Sequence, residues 1–139
     1  MDISEWPLNW SVQVPNFTLE ELSCRCGCGG VPQWSWVQKL QRWRSHLGFA
    51  MPITSGFRCA GHDSRIGGAG VHPIGRACDI GVAGANALLL IQLAAPSVTG
   101  IGVKGRGPRR FVHLDDLAIN EAGPLNPHPR PRLWSYDAD

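Results

Sequence analysis

A chain of 139 residues, 43% hydrophobic and 17% charged, is long enough for one domain with a true core and too apolar to be disordered. A net charge of +2 is too small for a dedicated nucleic-acid binder. The longest apolar stretch, residues 85–95, is too short to cross a bilayer.

Nucleic acid and membrane are therefore not expected as partners, and a monomer is expected. Met1 to Trp6 has no basic start and no apolar run, so no signal peptide is expected. The whole chain, 1–139, is expected to be a single domain.

Residues 1–16 have no clear period and read as an irregular N-terminal arm. Thr18 to Leu22 predicts a short helix, with Thr18 as N-cap and Glu21 completing a capping box. Cys24 to Gly30 carries three glycines in seven residues, which forbids a stable helix. Trp34, Val37, Leu40, Gln41, Trp43 and Leu47 follow a helical spacing, predicting the main core helix over 33–47 with Gly48 as its cap. Residues 51–55 predict a strand. Gly56 to Val71 is glycine-rich and polar and predicts an ordered functional loop. Residues 76–82 predict a second strand, and 85–95 a second helix ended by Pro96. Two further strands, 100–103 and 110–114, flank a basic turn from Lys104 to Pro108. Residues 117–139 predict a Pro-rich C-terminal wrap, with Trp134-Ser135-Tyr136 returning to the body. No internal repeat is present. This order predicts an α+β domain: a small, mostly antiparallel sheet with flanking helices.

Three residues could carry chemistry together. His72 lies in a glycine-flanked turn, Asp79 on the strand that follows, and His113 on a later strand. Two imidazoles and one carboxylate can hold zinc and leave its fourth position open, the ligand count of a catalytic site. Asp79 stands between Cys78 and Ile80 in an apolar strand and needs a partner there, because an unpaired buried carboxylate is costly. Taken singly, a surface histidine, a turn-capping aspartate and a satisfied core histidine are commoner. Asp115 lies two residues beyond His113, roughly 6.6 Å along the same strand face, within reach of a metal-bound water. Asp116 points the other way, with turn capping as its ordinary role.

At these residues the chain resembles the zinc D-alanyl-D-alanine carboxypeptidase family, whose fold is shared with hedgehog signalling domains and several phage endolysins. The resemblance rests on Phe17 to Leu22, Ile53-Thr54-Ser55-Gly56-Phe57-Arg58-Cys59, His72 to Asp79, Gly100 to Val103, Phe111 to Asp115 and Leu133 to Tyr136, in the family's order. It implies that His72, Asp79 and His113 are ligands of one catalytic Zn2+. It implies that Arg58 faces the substrate, where a guanidinium can take the developing negative charge of the scissile carbonyl. The plain alternative is a surface arginine stacked on an aromatic ring. Ser55 is expected to bind substrate or brace the loop. Two positions depart from the family. Arg110 stands where many relatives carry an acidic general base, leaving Asp115 as the local catalytic candidate, and Val71 replaces a polar residue.

Cys24, Cys26, Cys28, Cys59 and Cys78 leave three readings open: a second, thiolate-bound zinc, disulfides stapling the N-terminal loop, or small buried side chains. Five is an odd count, which fits a reducing compartment or a thiol cluster as well as a secreted chain with one cysteine unpaired. Trp34, Trp36 and Trp43 are expected in the core. Trp6, Trp10 and Trp134 are candidates to line a groove. The expected function is zinc-dependent hydrolysis of peptidoglycan stem peptides by a protein made in the cytoplasm and acting on the cell wall, phage lysis or a virion being the setting. The alternative is an inactive zinc-containing module that binds the wall or a partner.

Overall fold

The computed structural model describes residues 1–121 and 128–137. Its architecture is α+β, built on one five-stranded sheet. The strands are β1 (Ile53–Ser55), β2 (Ala77–Ile80), β3 (Gly100–Lys104), β4 (Phe111–Asp115) and β5 (Arg132–Ser135), in the spatial order β1-β2-β4-β3-β5. Three pairings are antiparallel, and β5 runs parallel to β3. The sheet is therefore mixed. The edge strand β5 comes from the tail expected to wrap the surface. Of that tail, residues 122–127 and 138–139 lie outside the described residues.

Alternation along the central strands separates core from cleft. Cys78 and Ile80 of β2 and Val112 and Leu114 of β4 are buried in the main core. The long helix α3 (Trp34–His46) covers this face with Trp36, Val37, Leu40 and Trp43, and α5 (Gly84–Ala94) adds Ala87, Leu90 and Ala94. Asp79 and His113, between those core residues, face the other side.

The short elements correct the sequence in three places. The arm is not irregular throughout: Ile3–Glu5 is a 3-10 turn capped by Asp2, and α1 (Trp10–Gln13) follows. Trp6 is buried there, its indole donates to the Pro32 carbonyl at 3.0 Å, and its ring meets Trp10 and Trp34 at 5.5 Å. Burial of these rings fixes the arm, so Trp6 and Trp10 extend the core rather than line a groove. The main helix ends at His46, capped by Leu47 in extended conformation rather than by the expected Gly48. The loop after β1 contains a helix, α4 (Ala60–Arg65), with Cys59 as N-cap. By contrast α2 (Leu19–Leu22) has the expected capping box, with Thr18 Oγ1 and the Glu21 carboxylate each accepting the other's N–H at 3.1 Å.

Candidate metal centre

One row across the sheet carries the site. Ser55, Asp79, His113, Gly102 and Trp134 are successive cross-strand neighbours on β1, β2, β4, β3 and β5. Gly102 is required by close approach: a Cβ there would lie 2.5 Å from the Trp134 ring. The bare backbone lets the indole lean over β3 until its centroid is 5.1 Å from that of His113. His72 arrives from outside the sheet, on a 3-10 turn (His72–Ile74) just before β2.

The structure brings His72, Asp79 and His113 together, with ligand atoms all within 4.8 Å of one another. His72 Nδ1 donates to the Gly56 carbonyl at 2.8 Å, which leaves Nε2 with a lone pair 3.6 Å from Asp79 Oδ1. His113 Nε2 donates to Asp115 Oδ2 at 2.7 Å, and its Nδ1 lies 2.9 Å from the same Asp79 oxygen. Two lone pairs cannot face each other at that distance without a cation between them, either a proton or a metal. The set is thus two imidazole nitrogens and one carboxylate, with both tautomers fixed by outer partners, and it fits zinc.

The electrostatics follow from these contacts. Burial alone would raise the Asp79 carboxyl, but hydrogen bonds from His113 and His72 hold it well below the usual carboxylate range. Burial would lower His113, yet Asp115 and Asp79 together raise it. Asp115 is brought down to about 2, burial being outweighed by Arg130 and His113.

Asp115 corrects the expectation placed on it. It is fully buried, and its carboxylate accepts from His113 and from Arg130 Nε and Nη2 at 2.9 and 2.8 Å. Both oxygens are engaged with His113 and Arg130, and Asp115 does not line the cleft. Arg130 escaped the sequence reading. The available signal was that a buried aspartate needs a cation, but among 13 lysines and arginines nothing singles out Arg130. Asp63, also missed, is buried beside Arg58 with Oδ1 3.1 Å from the guanidinium Nε.

A cleft of about 450 Å3 opens over the triad. Arg58, Val71, Phe111, His128, Arg132 and Trp134 are among its walls. Ser55 stands beside Asp79 at the end of β1 but does not line the cleft. Arg110 is exposed and also outside it. Asp116 holds Lys39 and Arg76, each at 2.7 Å, on the opposite side.

A model of one family, peptidase M15, matches residues 15–115, most of the chain and all three triad positions. The chain belongs to the peptidase M15 family. No curated protein matches it. Members of this family are zinc-dependent metallopeptidases, and the present M15 chain carries a donor set suited to that ion. No helix among its described residues is long and apolar enough to cross a membrane.

The cysteines of this M15 peptidase divide. Cys24, Cys26, Cys28 and Cys59 converge, with all four sulfurs within 4.8 Å of one another. Cys78 is buried in the core on the face of β2 opposite Asp79, and burial pushes its thiol well up.

Proposed function

We propose that this M15 member hydrolyses peptide bonds of peptidoglycan stem peptides, using one zinc held by His72, Asp79 and His113. The observation that carries the reading is the convergence of those three donors at the floor of an open cleft. Zinc held there supplies Lewis acidity at the scissile carbonyl and makes water a nucleophile near neutral pH. The chain's own groups do the rest. Gly56 and Asp115 fix the two imidazole tautomers, so the ligand lone pairs point inward. Arg58, paired with Asp63, presents its guanidinium at the cleft wall, where it meets negative charge developing on the carbonyl oxygen.

His128 is assigned the proton transfer. Outside the triad it is the one imidazole among the described residues that line the cleft, and imidazole is the side chain most often used for proton transfer. Its backbone carbonyl accepts from Arg130 Nη1 at 2.8 Å, which ties it to the same arginine that braces Asp115. Arg132 adds a cationic group to the cleft wall, suited to a carboxylate of a stem peptide, beside Arg58 and Arg130, which are paired with Asp63 and Asp115. Incubation of zinc-loaded protein with purified peptidoglycan tests this. Release of new amino groups, abolished by chelation and by His72→Ala, is the expected result. Absence of release with full metal occupancy would end it.

A second reading has its own support. Asp79 is the one carboxylate among the described lining residues, so the cleft lacks a free acidic base. A wall-binding module that keeps its zinc without turnover fits that lining. Co-sedimentation with peptidoglycan and no amino-group release would select it.

A further inference from the structure

We propose that Cys24, Cys26, Cys28 and Cys59 form a second, structural metal site that binds one zinc ion through four thiolates. The first three lie in the loop between α2 and α3. The fourth caps α4, so four sulfurs from two distant segments meet at one place. Four sulfurs about 2.3 Å from a central zinc stand about 3.8 Å apart at tetrahedral angles. Here the Cys24 and Cys26 sulfurs are 3.3 Å apart, those of Cys26 and Cys59 are 3.6 Å apart, and all four lie within 4.8 Å. A disulfide requires about 2 Å between two sulfurs, and all four cysteines are free.

Backbone donors supply an independent observation. The Cys59 N–H points to Cys24 Sγ at 3.3 Å, the His62 N–H to Cys59 Sγ at 3.4 Å, and the Gly30 N–H to Cys28 Sγ at 3.4 Å. Such donors favour the sulfur as an anion, the form that ligates metal. Four thiolates with no open position close the coordination sphere, so this ion would serve structure and not catalysis. Its place gives it a specific task. Cys59 follows Arg58 directly, and the Phe57 N–H bonds the Leu22 carbonyl at 3.0 Å. The metal therefore clamps the segment bearing the cleft arginine onto the loop after α2.

The test uses the full chain purified with reductant present. Elemental analysis should give about two zinc ions per wild-type chain, and about one in His72→Ala and in Cys26→Ser. After cobalt replacement, thiolate-to-cobalt charge-transfer absorption should persist in His72→Ala and vanish in Cys26→Ser. The wild type alone suffices if Cys26→Ser does not fold. Cobalt-loaded wild type lacking that absorption overturns the proposal, and so does a disulfide among the four sulfurs by mass spectrometry. None of these readouts depends on peptidase activity, so failure here is separable from failure at the triad.

Discussion

Asp115 is where two roles for one residue can be told apart. As the partner of both His113 and Arg130 it acts on metal binding and on stability. Asp115→Asn removes the charge and leaves Arg130 buried without a counter-ion, which costs about 3 kcal/mol in urea unfolding. Zinc affinity, measured by chelator competition, should fall about 10–100-fold. An Asp115→Asn protein that keeps its zinc affinity but loses turnover would instead make Asp115 the base. His128→Gln is the converse case. Its zinc content should be unchanged while kcat falls about 10²–10⁴-fold, the usual range for a general base. Unchanged kcat would remove His128 from the mechanism.

At the scale of elements, the joint between α2 and β1 holds His72. Gly56 passes so close to the end of α2 that a Cβ would lie 2.6 Å from the Leu22 carbonyl oxygen, while its own carbonyl fixes His72. Gly56→Ala must push the two segments apart. The expected cost is about 1–3 kcal/mol by thermal or urea unfolding, with reduced zinc occupancy of the triad. The edge strand β5 is the second such element. Trp134 stacks under Arg130 and Arg132 at 5.1 and 5.0 Å and roofs His113. Trp134→Ala should raise KM several-fold, with zinc bound as before, because it removes a wall of the cleft and not a ligand. Steady-state kinetics beside metal analysis checks this.

Across the whole molecule, two metal positions, the triad and the four thiolates, would give chelation two stages. The triad lines a cleft, so a mild chelator should empty it first and abolish hydrolysis while the thiolate site keeps its metal. Stripping the thiolate site should then lower Tm by several degrees, since an ion bound at about 1,000 times its Kd contributes about 4 kcal/mol. Calorimetry at graded chelator concentrations separates the stages. A transition that never shifts at any chelator concentration would mean that neither site holds metal.

Local rules made much of this chain legible from its sequence. The Thr18–Glu21 box, the spacing from Trp34 to Trp43 and the period-two strands around Asp79 and His113 depend on neighbours a few residues away. So does the turn that sets His72 before β2. What the sequence left open were relations between distant segments. Nothing local tells Arg130 that it will face Asp115, or sends β5 to lie parallel beside β3. Nothing local gathers Cys59 with three cysteines about thirty residues earlier. The partner of Asp115 was hidden for the same reason. Strand geometry correctly put Asp115 on the face of His113, but a buried guanidinium from the tail had already claimed its charge. The candidate donor set could be read from residue type and spacing, whereas the partner of each polar group was decided by what the fold brought within 3 Å.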